Sequence, residues 1–476
     1  MHFEDDEATP LKNKQARRDK GERMTAQATI EQPQAARATV SGWRLWYMVA
    51  VLCSTNTVAF IDRASLPLLA IQIEKDLGIS DSQMGMLQGL AFVITYFGMA
   101  IPAGMLIDRF PRRPVMSAAI AFWAFCTMSC GFAHSFFAMF IGRLGIGAGE
   151  AVGGPGSMSI IRDAVPNEKR GRSVAIWAMG ANIGAAIALL AGGAILLAIG
   201  DAPTVTVPVI GVMRSWQFVL ICCGLLALPV AFLIFTFPEP PRTGASVSAR
   251  GTTVGAAFAY LGSRWPVFLP LFIVNGVTII MTVGAGLWTP LMFGRVFHLS
   301  RPQIGFTLGL MTLFLGMPSQ FIAGMIMDWL QHKGVKNPIP LFGLVVTVII
   351  FGLGVSFPLV GDATTAWTLL GAYLLTATCT FTIGTALVAR LSPPNMVGKL
   401  TSLHFLWVGF CGTLIGGQIY PGVSEGFYAW AGDKAIAYAL STVIGTLDVI
   451  AFLTYVILLM TTRGELRKPG SGALPG

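Results

Sequence analysis

Four ionisable residues lie inside otherwise apolar stretches of this chain, where a charge is costly. Asp62 and Arg63 are neighbours in the first apolar stretch, and Arg143 and Glu150 share the fourth. A charge at the centre of a bilayer costs about 2.5–3.5 kcal/mol on insertion scales, so such residues are functional candidates by default. A carboxylate can exchange a proton, and an arginine can bind an anionic group. The four residues therefore predict a proton-coupled site that handles an anion.

The spacing of Arg143 and Glu150 limits how they can interact. Seven residues are two helical turns, which places both on one helix face with α-carbons about 10.5 Å apart. That separation is long for a direct ion pair, so we expect a third group between them: Asp62, a water or the head group of a substrate. We hypothesise that Glu150 is the principal proton carrier, that Asp62 is its partner, and that protonation of Glu150 releases Arg143 to hold an anionic head group. The alternative is a permanent structural network that never titrates.

Two local patterns shape the helices that carry these charges. Asp62 and Arg63 are about 100° apart around a helix, so only one of them is expected to point fully inward. The glycines at Gly145, Gly149 and Gly153 recur every four residues, which predicts the close approach of another helix. The sequence Gly-Gly-Pro-Gly at 153–156 predicts a bend just beyond Glu150.

The elements that position these residues are predicted to be membrane-spanning helices. Of 476 residues, 54% are hydrophobic and only 12% are charged, about half the charged fraction of an average soluble chain. Twelve apolar runs reach the roughly 20 residues that cross a bilayer. They lie at 43–70, 84–107, 114–133, 136–161, 173–198, 216–237, 266–292, 303–327, 339–358, 365–389, 397–418 and 435–460. The chain is therefore predicted to be an all-α integral membrane protein with twelve transmembrane helices.

A repeat divides the chain into two halves. Gly104–Asp108 recurs as Gly324–Asp328, 220 residues later, and nine of the 30 positions in 79–108 match their partners without a gap. Duplicated halves are common in secondary transporters. The same offset pairs Ser80, Gln83, Gly85, Gly89 and Leu90 with Ser300, Gln303, Gly305, Gly309 and Leu310. We expect a disordered tail at 1–42, a six-helix bundle at 43–237, a linker at 238–265, a second six-helix bundle at 266–462 and a tail at 463–476.

Basic residues are distributed unevenly between the two ends of the predicted spans. One set of loops, together with both termini, holds 25 of the 32 Lys and Arg residues. The opposite loops hold five, which are Lys75, Arg214, Arg295, Arg301 and Lys434. Because cytoplasmic loops carry the excess of Lys and Arg, both termini and the linker are expected in the cytoplasm. This asymmetry accounts for the net charge of +9, and no basic domain supports a nucleic-acid partner.

The repeated segments end in residues that are candidates for a gate. Asp108 is followed by Arg109, Arg112 and Arg113. A carboxylate at this place can pair with arginines and with a neighbouring helix amino end, which would hold one face of the protein shut. Asp328 takes the same place in the second half, with fewer basic partners. The alternative is that these charges only reflect the positive-inside rule.

The second half has polar and aromatic candidates but few charges. Trp288, Thr382, His404 and Trp407, with Phe60 in the first half, are predicted to line a cavity, although packing and interface anchoring are the alternatives. A charged first half would hold a polar head and an apolar second half a hydrocarbon portion, which suits an amphipathic anion. Asp448, the single charge in the last apolar run, is interpreted as structural.

No pattern predicts an enzyme, a cofactor or a metal site. The seven cysteines lie within apolar runs and have neither zinc-finger nor CxxC spacing. The glycine-rich string at 145–149 follows no predicted strand, which excludes a dinucleotide loop. No nucleophile–base set and no ATP-binding Walker sequence is present.

Several motifs resemble those of a known transporter family. The sequence at 104–113 resembles the loop 2–3 signature of the major facilitator superfamily, and 143–149 resembles its helix 4 signature. The sequences at 60–63, 143–151, 163–166 and 170–172 are similar to the bacterial Spinster branch. The resemblance implies two pseudo-symmetric six-helix bundles with alternating access between them, in a bacterial inner membrane. Spinster-like proteins are linked to proton coupling and to the export of lysophospholipids and sphingosine phosphate.

The sequence therefore predicts a proton-coupled secondary active transporter of an amphipathic organic anion, such as a lysophospholipid or a sphingoid phosphate. Its partners would be this substrate, protons and membrane lipids. One alternative is a symporter of small hydrophilic organic anions such as sugar acids. A multidrug exporter fits less well, because Gly184 is followed by Ala185 where the superfamily's drug antiporters have a Gly-Pro pair. A non-transporting membrane receptor fits poorly with the buried charges.

Overall fold

The computed structural model describes residues 42–199, 203–208, 211–242, 254–393 and 396–465, which are helical almost throughout. The long helices, in chain order, are α1 (Trp43–Leu77), α2 (81–109), α3 (Arg112–Cys130), α4 (Phe136–Ala164), α5 (Asn167–Ala198), α6 (Ser215–Thr236), α7 (Trp265–Val296), α8 (Arg301–His332), α9 (Pro338–Ser356), α10 (Ala363–Leu391), α11 (Val397–Phe427) and α12 (Ala435–Glu465). A short helix at Val254–Ser263 precedes α7, and the strands β1 (Thr204–Val207) and β2 (Gly211–Arg214) form an antiparallel hairpin between α5 and α6. Most of the predicted tails at 1–42 and 463–476, namely residues 1–41 and 466–476, and residues 243–253 of the predicted linker lie outside the described residues.

The predicted transmembrane organisation agrees with these helices. Within the described ranges, ten helices are long and apolar enough to cross a membrane, or eleven when the two parts of α2, bent by 42°, count as one span. The remaining long helix, α3, has 19 residues and packs between α4 and α6. The hairpin was not predicted from the sequence.

The two ends of the helices define two sides of the molecule. We call the side with β1 and β2 the hairpin side, and the side where α6 ends and α7 begins the linker side. One apolar core runs through the second half and, on the hairpin side, joins Trp288 and Ile304 to Leu69 and Met84 of the first half. On the linker side, residues of the first half form a separate core that includes Trp123. The halves are thus packed together on the hairpin side and apart on the linker side.

Local sequence signals determine several helix ends on the hairpin side. α1 ends at Gly78, whose φ of 63° is left-handed and favours glycine. α2 begins with a capping box between Ser80 and Gln83, and α8 begins with the equivalent box at the repeated positions 300 and 303. Asp362 caps α10 through Thr365, and this hydrogen bond holds the pKa of Asp362 below its ordinary value.

The repeated glycines form the seams where the two halves meet. A Cβ atom on Gly85 of α2 would collide with the carbonyl oxygen of Gly417 in α11. A Cβ atom on Gly305 of α8 would lie 2.7 Å from the carbonyl oxygen of Leu189 in α5. The 220-residue repeat therefore encodes two related contacts, α2 with α11 and α8 with α5, that bring backbones together on the hairpin side.

Candidate functional site

The first buried ion pair joins α4 to α1. Arg143 places Nη1 3.0 Å from Oδ2 of Asp62, and both side chains are buried. Its Nε also donates to the carbonyl oxygen of Leu87 at 3.2 Å. Leu87 belongs to a π turn at Met86–Leu90, where the wider spacing of backbone hydrogen bonds departs from the α-helical ladder. Arg143 thereby holds α1, α2 and α4 together.

The second ion pair also joins α1 to α4. Its acid, Glu150, lies two helical turns nearer the linker side than Arg143. Arg63 donates from Nε to Oε2 of Glu150 at 2.8 Å and from Nη2 to the same oxygen. The Glu150 side chain is 1% exposed, whereas the Arg63 side chain is 27% exposed. Arg63 is therefore the member of the charge network that reaches open space.

This pairing corrects two expectations from the sequence. Glu150 pairs with Arg63 and not with Arg143, so protonation of Glu150 would release Arg63. Asp62 and Arg63 both contact α4, each through a different pair, because the long arginine side chain can reach α4 from a position about 100° around the helix from Asp62.

Aromatic rings enclose the guanidinium group of Arg63. Its Cζ lies 4.8 Å from the ring centre of Phe60, 4.3 Å from that of Phe92 and 5.3 Å from that of Tyr96. Phe60 was predicted from the sequence to line a cavity. Phe92 and Tyr96 were missed, although their spacing of four residues places them on one face of α2. Contacts of this kind hold a cation by about 0.5–2 kcal/mol each.

Each carboxylate of the network keeps one oxygen without a partner. Oδ1 of Asp62 and Oε1 of Glu150 are buried and have no hydrogen bond to any described residue. An unsatisfied buried acceptor is costly, most of all when the group is charged. These two oxygens are the places where a proton or a donor from a substrate would be accommodated.

Glycines allow α4 to pack closely against its neighbouring helix. A Cβ atom on Gly149 would lie 2.9 Å from Cβ of Trp123 in α3, and one on Gly145 would lie 2.5 Å from Sγ of Cys126. The predicted close approach is confirmed for these two, whereas Gly153 has open space around it. The α-helix breaks directly after Glu150, at the place where a bend was predicted.

The predicted gate residues are dispersed in this open conformation. Asp108 and Arg109 are exposed, and Asp108 has no ion pair to any residue in the described part of the chain. Arg112 is buried instead, with Nη1 2.5 Å from Oδ2 of Asp163 and Nε 3.4 Å from Oε1 of Glu239. Arg112 thus joins α3 to the ends of α4 and α6. It does not pair with Asp108 in this conformation.

The two remaining gate candidates have separate surroundings. Arg113 donates from Nε to the carbonyl oxygen of Ile234 at 3.1 Å, which anchors it to the end of α6. Asp328 is exposed, and its backbone carbonyl lies 2.7 Å from Nδ1 of His332. The gating role of these residues stays a prediction.

The candidates of the second half form neutral hydrogen bonds. His404 is buried, with Nδ1 3.3 Å from Nδ2 of Asn275 and Nε2 without a partner in the described ranges. Trp288 is buried and donates to the carbonyl oxygen of Gly416 at 3.3 Å. The remaining two candidates are half-buried: Thr382 donates to Gln320 O at 3.4 Å and Trp407 donates to Phe272 O at 2.7 Å.

A buried acid of the second half has no ion pair to any described residue. Asp448 of α12 is 2% exposed, and its Oδ1 has no hydrogen-bond partner among the described residues. No three His, Cys, Asp or Glu side chains in the described ranges come together as a metal site.

Sequence comparison relates the chain to a large transporter family. The family model of the Major Facilitator Superfamily matches residues 51–417. An MFS-type efflux pump from Mycolicibacterium smegmatis is 24% identical over 429 residues, which cover 89% of this chain and 94% of that protein. Protein spinster homolog 3 from Danio rerio is 27% identical over 227 residues, which cover 47% of this chain and 42% of that protein. The chain therefore matches less than half the length of this spinster relative.

Solved structures share the fold. A bacterial homologue of the human lysosomal transporter Spinster, in an inward-facing and unoccupied conformation, aligns with a TM-score of 0.77 at 21% identity and covers 91% of this chain and 100% of the other. A D-xylose-proton symporter aligns with a TM-score of 0.65 at 14% identity, covering 86% of this chain and 97% of the other.

Proposed function

The chain belongs to the Major Facilitator Superfamily, and on that basis we propose that it is a proton-coupled transporter of an amphipathic organic anion. A lysophospholipid or a sphingoid phosphate has the required chemistry, with an anionic head and a hydrocarbon tail. The chain is similar in sequence to a spinster homologue and in fold to a bacterial Spinster homologue, and the resemblance of its motifs to the Spinster branch implies this substrate class. Transport proceeds by alternating access between the two halves.

In this proposal the linker side faces the cytoplasm of a bacterium. The loops on that side carry most of the Lys and Arg residues, as the positive-inside rule requires. Both termini are then cytoplasmic. The conformation, open on the linker side and closed on the hairpin side, is inward-facing.

The observation that carries the proposal is the Arg63–Glu150 pair beside the open space. The arginine is partly exposed to the cavity, and the carboxylate is buried with one oxygen unpaired. A proton bound to Glu150 removes its charge and weakens the hold on Arg63. The arginine is then available to an anionic head group, so proton binding and substrate binding are linked through a single side chain.

The Arg143–Asp62 pair has a supporting role in this mechanism. Both members are buried, and Arg143 also bonds to the backbone of α2. The pair fixes the position of α1, so that Arg63, the next residue, stays in reach of Glu150. Asp62 is the second candidate for a proton because its Oδ1 is also unpaired.

The second half supports an amphipathic cargo. Phe381 of α10 stacks on Phe405 of α11 with ring centres 6.1 Å apart, and Trp407 stacks on Phe410 at 6.3 Å. Phe381, Phe405 and Phe410 are exposed and offer apolar surface on α10 and α11. A tail can therefore lie against α10 and α11 while the head meets Arg63.

Transport by liposomes that contain the purified protein tests the proposal. We expect a pH gradient to drive uptake of lysophosphatidylglycerol, and Glu150→Gln to remove the pH dependence while substrate exchange persists. The matched control is Asp448→Asn, which neutralises a buried acid of the other half and should leave the pH dependence intact. Undiminished pH-driven transport by Glu150→Gln would contradict the proton role.

The same liposomes separate the competing substrate classes. Gluconate should compete only if the protein is a symporter of small hydrophilic anions. An amphipathic cation such as ethidium should be carried only if the protein is a multidrug exporter, a second candidate that the full-length similarity to an efflux pump favours.

A further inference from the structure

The amino end of α2 is held by two residues of the second half. Asp81 and Ser82 are the first residues of α2, on the hairpin side. Arg295 at the end of α7 binds Asp81, and Glu425 at the end of α11 binds Ser82. Most of the other ion pairs lie within one half, whereas these contacts cross between halves.

Arg295 binds carboxylates from two helices of the first half. Its Nη1 lies 2.8 Å from Oδ2 of Asp81, and its Nη2 lies 2.6 Å from Oδ1, which is a bidentate pair. The same Nη2 lies 2.7 Å from Oε2 of Glu74 at the end of α1. One guanidinium group therefore joins α1 and α2 to α7.

Glu425 holds the backbone at the same helix end. Its Oε1 accepts a hydrogen bond from the Ser82 backbone N–H at 2.9 Å, and its Oε2 accepts one from the Ser82 hydroxyl. A helix amino end carries a partial positive charge and free N–H groups, so a carboxylate from another helix is well placed there.

Arg295 neutralises part of the negative charge of this cluster. Glu74, Asp81 and Glu425 supply three carboxylates, and Arg295 forms ion pairs with the first two of them. Oε1 of Glu74 is buried and has no partner in the described ranges. Without the guanidinium group, the remaining charges would repel one another and favour hydration, which requires the halves to separate.

We propose that Arg295, with Glu425, is the ionic latch that keeps the hairpin side closed while the linker side is open. The latch rests on the proposed alternating access, in which the hairpin side must open once in each cycle. The second seam on this side, between α5 and α8, is built from glycine and backbone packing around Gly193 and Gly305.

A neighbouring ion pair provides a matched control. Arg214 of β2 lies 3.7 Å from Asp76 at the end of α1, and Trp216 donates to the same carboxylate at 2.8 Å. This pair is on the same side of the molecule and beside the same helix end, but all its members belong to the first half. Its loss should not affect the separation of the halves.

Distances between spin labels on the hairpin side test the latch directly. We would label cysteines at His134 and Thr364, which are exposed and lie in different halves, in a background with the native cysteines replaced. The full-length protein in nanodiscs without substrate should give a short distance. Arg295→Ala should add a longer distance and raise the population of the open state about tenfold or more, as expected from the loss of charge-assisted bonds. Arg214→Ala should leave the distribution unchanged.

Two further variants separate an ionic latch from simple loss of packing. The exchange Asp81→Arg with Arg295→Asp should restore most of the short distance. Glu425→Gln, which alters only an exposed rim of the cluster, should open the protein less than Arg295→Ala. An unchanged distribution in Arg295→Ala, or an opening that the exchange does not reverse, would overturn the latch. Because no substrate or proton gradient is used, a negative result at Glu150 does not affect this test.

Discussion

Both halves contain π turns whose backbone carbonyl oxygens accept hydrogen bonds from side chains, but the donor groups differ between the halves. In the first half, the π turn of α2 presents the carbonyl oxygen of Leu87 to the charged Arg143. In the second half, the π turn of α7 at Ile280–Gly284 presents two carbonyl oxygens to tyrosine hydroxyls, from Tyr420 at 3.1 Å and from Tyr373 at 2.5 Å.

This difference assigns separate tasks to the halves. The 220-residue offset pairs Asp62 with Thr282, which lies inside the π turn of α7. Ion pairs change strength when a carboxylate gains a proton, whereas hydrogen bonds from tyrosine to backbone do not. In the proposed mechanism the first half therefore responds to protons through its ion pairs, and the second half provides the frame against which it moves.

The largest expected effect is the loss of Arg143. Arg143→Ala leaves the Asp62 carboxylate buried without its partner, so we expect a loss of about 3–5 kcal/mol in stability together with loss of transport. Thermal unfolding in detergent, followed by tryptophan fluorescence, measures the first effect. Arg143→Gln combined with Asp62→Asn should recover much of the stability, and a single variant as stable as the wild type would show that the pair is not structural.

A smaller loss of stability is expected when the close contact between α4 and α2 is disrupted. A Cβ atom on Gly147 would collide with the carbonyl oxygen of Phe92. Gly147→Ala should therefore cost about 1–3 kcal/mol of stability, measured by the same unfolding experiment. Gly153→Ala on the same helix, where nothing lies within 4 Å, is the control. Equal behaviour of the two variants would refute the tight packing of α4 on α2.

A more modest loss of stability is expected when a hydrogen bond from tyrosine to backbone is removed from the second half. Tyr373→Phe removes the bond to the carbonyl oxygen of Met281, so we expect a loss of about 1 kcal/mol in stability and an unchanged pH dependence of transport. Tyr428→Phe is the control because its hydroxyl bonds to exposed Thr442. A changed pH dependence in Tyr373→Phe would end the division of tasks between the halves.

The smallest expected effect is a shift in the conformational populations when either of the two repeated aspartates on the linker side is replaced. Exposed ion pairs contribute about 0.2–1 kcal/mol, so Asp108→Asn should favour the inward-facing state only a few-fold. Asp328→Asn should shift the populations less, because Arg109 follows Asp108 whereas fewer basic residues surround Asp328. Spin labels at Lys169 and Gly398 would report the shift, and a larger effect at Asp328 would reverse the predicted order.

Much of the fold was predictable because its signals are local. Apolar length indicated the spans, and glycines at intervals of four indicated the contact of α4 with α3. The positions of Asp62, Arg63, Arg143 and Glu150 identified the site because charges are rare in apolar helices. Their pairing was not predictable, since two acids and two arginines combine in two ways and side-chain reach decides between them.

Contacts between distant segments account for what the sequence missed. Arg295 was counted as a loop charge, because the apolar run ends at 292, whereas α7 continues to Val296. Its partners Asp81 and Glu74 are 214 and 221 residues away. Asp163 and Glu239 were missed as partners of Arg112 for the same reason, since no local pattern links α3 to the ends of α4 and α6.

The way the chain leaves α6 determines how loosely the linker connects the two halves. Arg112 and Arg242 fasten the start of the linker to the first half, the latter through the carbonyl oxygen of Ile107 at 2.8 Å. Tyr260, in the helix before α7, donates to the carbonyl oxygen of Leu391 in the second half at 3.4 Å. Twelve peptide units separate Arg242 from the start of that helix at Val254, which allows a contour length of about 40 Å. The linker between the halves is therefore long compared with the helix diameter of about 10 Å. Contacts between the helices, and not the length of the linker, limit the proposed movement of one half against the other.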